Sequence, residues 1–138
     1  MSSRKEEALE LFKSGKYNCA QTLFLVYYDE LDIDKETLLK LTSGFEGGIC
    51  KLGETCGLIN SSVMLLGLKY GYTEMNEIDA KEKLRKKVRR LIKEFKDDHK
   101  SINCRDLLTE DKECTYKMHS RKCEDLVSEV CDILEEYM

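Results

Sequence analysis

The chain has 138 residues, the length of a single domain, and carries a formal net charge of −4 from 23 basic and 27 acidic side chains. Charged residues make up 36% and apolar residues 41%, which excludes a disordered chain and favours amphipathic helices. The net negative charge disfavours a nucleic-acid partner, and no apolar run approaches the ~20 residues that span a bilayer. With a charged start and no signal peptide, we expect a cytoplasmic protein without a membrane partner.

The first third of the chain predicts three helices, each with a polar residue placed to cap its start. Ser3 and Glu6 fit a capping box, and Asn18 and Asp34 cap the second and third helices. Gly15 ends the first helix. Apolar residues at helical spacing follow each cap: Ala8, Leu9, Leu11 and Phe12, then Cys19, Leu23, Val26 and Tyr27, then Leu38, Leu39, Leu41 and Phe45.

Residues 44–57, the glycine-rich loop, hold five of the eight glycines together with Cys50 and Cys56. Clustered glycines indicate backbone that turns tightly or approaches another group closely. A fourth helix follows the loop and stops at Gly71, and its mostly apolar composition is typical of a central helix. The predicted fold is an all-α single domain over residues 1–138, with six or seven helices and this loop before the central one.

The last third predicts a long helix, a short one and a terminal one. The long helix runs from Asn76 to about His99, and a short turn or helix ends at Leu108. Residues 109–117 are polar and predict a loop, after which Ser120 caps the last helix.

Seven cations in residues 81–90 of the long helix have two interpretations, a binding groove or a solvated face. Leu84 and Val88 keep the helix amphipathic and acidic residues flank the run, so we interpret it as a solvated face. His99 and His119 lie in polar surroundings near cysteines and have two interpretations: a base for Cys104 or Cys123 or an alternative metal ligand, or a surface side chain. Neither has a recognisable ligand spacing, so we expect both at the surface.

The seven cysteines include no Cys-x-x-Cys pair, so any metal site must be assembled by the tertiary fold. Four of them, from four segments, fall in the first turn of a predicted helix: Cys19, Cys56, Cys104 and Cys123. Helix N-termini stabilise thiolates, which then bind metals or react. If these four starts converge, they form a four-thiolate site. The alternative is that the cysteines are small buried hydrophobic residues.

The other three cysteines have separate interpretations. Cys131 is in the middle of a helix and is expected in the core, and Cys114 is expected as an exposed thiol in the polar loop. Cys50 has three interpretations: an extra ligand, a resolving thiol for Cys56, or a residue that only lines the loop.

The glycine-rich loop and the four cysteines resemble the C-GCAxxG-C-C family. The matching stretches are residues 15–21, 44–48, 53–57, 66–71 and 104–108, together with Cys123. The resemblance implies an all-helical fold, redox activity and the same four cysteines as the family's set. The family is also distantly similar to the iron–sulfur part of split-Soret cytochromes, which implies a cluster. The chain departs from the motif at Leu58 and Ser61, where the family has small Ala and Gly.

Three functional hypotheses follow. The first is a redox or electron-transfer protein that binds an iron–sulfur cluster, or zinc, through Cys19, Cys56, Cys104 and Cys123. The second needs no metal and uses thiol–disulfide pairs such as Cys50/Cys56 or Cys104/Cys123. The third is a non-catalytic helical interaction module with buried, reduced cysteines. The first implies a redox partner protein, and a homodimer would shield an exposed cofactor.

Overall fold

Helices are the main elements of the computed structural model, which describes residues 3–109 and 121–138. The described residues contain seven α-helices, two 3₁₀ turns (Tyr28–Glu30 and Ser43–Phe45) and no strand beyond one isolated β-bridge. The helices are α1 Arg4–Lys13, α2 Cys19–Val26, α3 Lys35–Thr42, α4 Gly57–Tyr70, α5 Ile78–Asp98, α6 Cys104–Thr109 and α7 Arg121–Leu134. The predicted all-α class is confirmed.

The predicted caps explain where the first three helices begin. The Ser3 hydroxyl accepts a hydrogen bond from the Glu6 amide, and the Glu6 carboxylate accepts one from the Ser3 amide. Asn18 forms the same reciprocal box with Gln21, and the Asp34 carboxylate accepts from the Thr37 amide. Each cap satisfies amide groups that have no partner within the helix, so the short polar side chains fix these boundaries.

Helix α4 is central, as its composition predicted. It packs against α2, α5 and α7, while α1 lies across α2 and α7. Fully buried side chains on α4 include Leu65 and Leu66, and the facing helices bury Leu23, Leu91 and Val127. Because these helices come from both ends of the chain, the core holds residues that are far apart in sequence against one another.

Some predictions about the surface are corrected or left open. Leu41, placed on the apolar stripe of α3, is 62% exposed, because the buried side of this helix runs through Leu38 and Thr42, one turn apart, and Leu41 does not lie on it. Five of the seven cations in residues 81–90 are exposed, and Lys81 and Lys87 lie over tyrosine rings. The calls on Ser120, Cys114, His119 and the loop beyond Thr109 lie outside the described residues. Within the described ranges, no helix has the length and apolarity needed to cross a membrane.

A cavity lined by four cysteines

Four cysteines from four separate helix starts line one cavity. Cys19, Cys56, Cys104 and Cys123 share its wall with five apolar side chains, Phe12, Leu58, Leu107, Leu108 and Leu126. Its volume of about 30 Å³ is room for about two water molecules. The predicted convergence of these thiols is thus found in the structure, although they are 104 positions apart at the extremes. We call this space the thiol cavity.

Each of these cysteines lies at the beginning of a helix. Cys19 is the first residue of α2, Cys104 is the first of α6, and Cys123 is the third of α7. Cys56 is the N-cap residue of α4. Amide groups without helical partners therefore surround the cavity, and they favour negative charge on sulfur.

Two glycines of the loop provide the space that two of the cysteines occupy. A Cβ on Gly57 would lie 2.7 Å from the Cys19 sulfur and 2.9 Å from the Phe45 carbonyl oxygen. A Cβ on Gly48 would lie 2.7 Å from the Cys104 Cβ. Real Cβ atoms do not approach other atoms so closely, so these glycines are required for contact rather than for flexibility alone.

The glycine-rich loop contains a left-handed turn of five residues. Positive φ angles run from Gly47 (59°) and Gly48 (72°) through Ile49 (66°), Cys50 (46°) and Lys51 (63°). Three of these residues have side chains, and left-handed backbone costs each about 1–2 kcal/mol. Backbone hydrogen bonds brace the turn, among them those between residues 53 and 47 (3.0 Å) and 54 and 48 (2.9 Å). Such strain persists only where the surrounding structure holds it in place.

The end of this loop is hydrogen-bonded to the segment that leads into α6. The Cys104 amide donates to the Glu54 carbonyl (2.7 Å), and the Cys56 amide donates to the Ile102 carbonyl (2.8 Å). Thr55 and Asn103 form an antiparallel bridge between these two bonds. The backbone positions of Cys56 and Cys104 are thereby fixed relative to each other.

The two thiols of Cys19 and Cys56 are electrostatically unequal. Hydrogen bonding to Cys56, followed by burial, raises the pKa of the Cys19 thiol well above its ordinary value. The same hydrogen bond from Cys19 lowers the pKa of Cys56, and the amides of Leu58 and Ile59 and the charge of His99 lower it further. Ionisation is therefore favoured at Cys56 over Cys19.

His99 is a site residue that the sequence placed wrongly. It was expected at the surface, but it is 7% exposed and its Nε2 lies 2.7 Å from a carboxylate oxygen of Glu129 on α7. The ring also packs on Phe95, with centroids 4.8 Å apart. His99 is buried because it follows the end of α5 where that helix meets α7, a contact that polar neighbours in sequence conceal.

The remaining described cysteines lie outside the thiol cavity. Cys50 is exposed, and its thiol donates to the Gly44 carbonyl (3.5 Å). Cys131 is in the core, as predicted, and burial raises its pKa to about 12. All six described cysteines are in the thiol form, with no disulfide among them.

The two departures from the family motif both lie against the site. Leu58 is buried and forms part of the cavity wall. Ser61 is fully buried, and its hydroxyl donates to the Ala20 carbonyl (2.7 Å) in the first turn of α2. Ser61 therefore ties α4 to the residue that follows Cys19.

Convergence of the thiols does not amount to a preformed metal site. Over residues 3–109 and 121–138, no three or more His, Cys, Asp or Glu side chains are grouped so that they would hold a metal ion. The four cysteines are residues that bind metals as thiolates, but in this structure they are spaced as packed thiols and not as ligands of one metal ion.

Comparison with known proteins agrees with the cysteine pattern. The family described as "Putative redox-active protein (C_GCAxxG_C_C)" matches residues 17–137, which include all four cavity cysteines and the glycine-rich loop. No curated protein and no solved structure matches the chain. Because the match covers nearly the whole chain and includes all four cavity cysteines, the protein belongs to the C_GCAxxG_C_C family.

Proposed function

We propose that the protein is an electron-transfer protein that binds an iron–sulfur cluster through Cys19, Cys56, Cys104 and Cys123. The observation that carries this proposal is the shared cavity: four sulfurs from four helix starts line one small apolar space. Membership of a redox-active family supports the same reading.

The donor set fits the group by its chemistry. Thiolates are the ligands that iron–sulfur clusters take, and zinc accepts the same four. The thiol cavity has a volume of only about 30 Å³, so loading requires the thiols to separate. When bound, such a cluster supplies one-electron transfer.

The chain's own residues prepare the site for negative charge. Amides at the start of α4 and the charge of His99 favour the Cys56 thiolate, and Glu129 holds the His99 ring in place. Gly57 and Gly48 let Cys19 and Cys104 reach the cavity. Hydrogen bonds and dipoles of this kind tune the potential of a cluster.

A metal-free thiol–disulfide protein is the second candidate, because Cys19 and Cys56 lie close enough in the cavity wall to shift each other's pKa. This pair differs from the two that the sequence suggested, Cys50/Cys56 and Cys104/Cys123. In the first of those, Cys50 is exposed whereas Cys56 is buried. With either chemistry we propose a cytoplasmic protein with a redox partner protein, and a homodimer as a means of shielding the cavity.

The test is anaerobic purification and reconstitution, followed by iron and acid-labile sulfide analysis and visible absorption. We expect bound iron and sulfide, and the loss of both in Ser variants of each cavity cysteine. Cys50→Ser is the matched control, since Cys50 is exposed and does not line the cavity.

Colourless protein without iron or sulfide after reconstitution would refute the cluster. Zinc in its place would identify a structural metal site. If all four Ser substitutions left folding and partner binding intact, the protein would be an interaction module with buried, reduced cysteines.

A further inference from the structure

Cys19 and Cys56 are brought together by the backbone. The Cys19 sulfur lies against Gly57, the residue directly after Cys56. A Cβ atom on Gly57 would lie only 2.7 Å from this sulfur, so there is no room for a side chain. Both cysteines begin helices that pack against each other, α2 and α4, and Ser61 bonds those helices one turn away. The pair is held in proximity before any ligand binds.

The thiol cavity selects for small, neutral molecules. About two water molecules fit in its 30 Å³. Besides the cysteines, its wall consists of five phenylalanine and leucine side chains, Asn18, Glu46 and two glycines. Small volume disfavours bulky oxidants, and the Glu46 carboxylate and the cost of desolvation disfavour anionic ones. Hydrogen peroxide is neutral and contains two oxygen atoms, so it matches the space.

We propose that the metal-free cavity reacts with small hydroperoxides at the Cys19–Cys56 pair and ends as a disulfide between them. The inference rests on the redox function proposed above and gives that site a substrate class. It concerns the state without a metal, so it does not require a cluster.

The chemistry is a two-electron reduction of the peroxide. The Cys56 sulfur, which lines the cavity at the N-cap of α4, attacks one oxygen as its thiolate and breaks the O–O bond, leaving a sulfenic acid and hydroxide. Hydroxide takes the Cys19 proton and leaves as water. The Cys19 sulfur then attacks the Cys56 sulfur, the S–O bond breaks, and the departing hydroxide takes up the proton that the Cys56 thiol released. Two thiols and one peroxide thus give one disulfide and two waters.

The experiment uses the full chain, prepared metal-free and treated with hydrogen peroxide. Trypsin separates the relevant cysteines: Cys19 falls in residues 17–35, Cys50 in 41–51, Cys56 in 52–69 and Cys104 in 101–105. We expect mass spectrometry to find peptide 17–35 joined to 52–69, with the loss of both thiols. In Cys19→Ser the link is lost and a sulfenic acid on 52–69 is trapped by dimedone, whereas Cys50→Ser keeps the link.

Several results would overturn the proposal: cavity thiols that stay unreacted while Cys50 oxidises, a link between another pair, or equal reaction with a bulky hydroperoxide. Circular dichroism of Cys19→Ser checks that the variant is folded, and Cys19→Ala gives a second version of the same test. The outcome is separable from that of the cluster. Protein that binds iron but forms no link when metal-free refutes only this inference, and linked protein that never binds iron refutes only the cluster.

Discussion

Replacing Gly57 by Ala tests whether close contact at this residue positions Cys19. The new methyl would lie 2.7 Å from the Cys19 sulfur, 2.9 Å from the Phe45 carbonyl oxygen and 3.4 Å from the Ala20 Cβ. The carbonyl belongs to the backbone and yields little, so the Cys19 side chain or the start of α4 has to move. Gly57 does not have a left-handed φ, so the substitution adds no backbone strain to the crowding.

Crowding of this kind costs about 1–3 kcal/mol, and the better helix propensity of Ala offsets up to about 1 kcal/mol. We therefore expect Gly57→Ala to lower the free energy of unfolding by about 1–2 kcal/mol in urea denaturation, and to lower the iron retained after reconstitution. Gly67→Ala is the matched control on the same helix, where nothing lies within 4 Å of the added methyl. It should raise stability by up to about 1 kcal/mol. If Gly57→Ala behaved like Gly67→Ala in both assays, the positioning role would be refuted.

Three further predictions concern named side chains. His99→Phe keeps the packing but removes a charge that lowers the Cys56 pKa, so that pKa should rise and alkylation of Cys56 at neutral pH should slow; an unchanged rate contradicts the coupling. Burial raises the pKa of Cys131 from 9.0 to about 12, so this thiol should resist iodoacetamide at pH 8 in the native protein. Its contribution to the free energy of unfolding should fall as the pH rises from 9 to 12, since the unfolded thiol ionises first. Labelling of Cys131 in the native state would contradict this prediction. Arg4→Ala should lower the free energy of thermal unfolding by about 1 kcal/mol, because Arg4 forms an ion pair with Asp29 (2.9 Å) at the surface. An unchanged melting temperature would contradict a stabilising role for this ion pair.

The local parts of the fold were predictable because their causes are local. Ser3, Asn18 and Asp34 each stand just before an apolar run, and the capping hydrogen bonds that define the helix starts join residues three positions apart. The positions of Cys19 and Cys104 at helix starts follow from the same reasoning.

The parts that depend on contacts distant in sequence were not predictable. His99 meets Glu129 thirty residues later, and its polar neighbours predicted exposure. The bridge between Thr55 and Asn103 joins two segments with no strand pattern. Glycines 47 and 48 signalled an unusual backbone, but nothing in the sequence indicated that Ile49 would share it.

The convergence of the four cysteines was a hypothesis that local rules could not settle. Each cysteine taken alone fits a buried hydrophobic residue, and only the packing of α2, α4, α6 and α7 brings their sulfurs to one cavity. The sequence shows the cluster of glycines that makes this packing possible. It does not show that Gly57 and Gly48 leave room for the side chains of Cys19 and Cys104.

X-ray absorption at the iron edge of the anaerobically loaded protein tests the central claim most directly. If the thiols of Cys19, Cys56, Cys104 and Cys123 bind the cluster together, the spectrum will show that the atoms bonded directly to iron are all sulfur. Cys56→Ser will then introduce an oxygen among these atoms or lose the iron. Iron bound through nitrogen or oxygen in the unaltered protein, or a spectrum unchanged by Cys56→Ser, would contradict it.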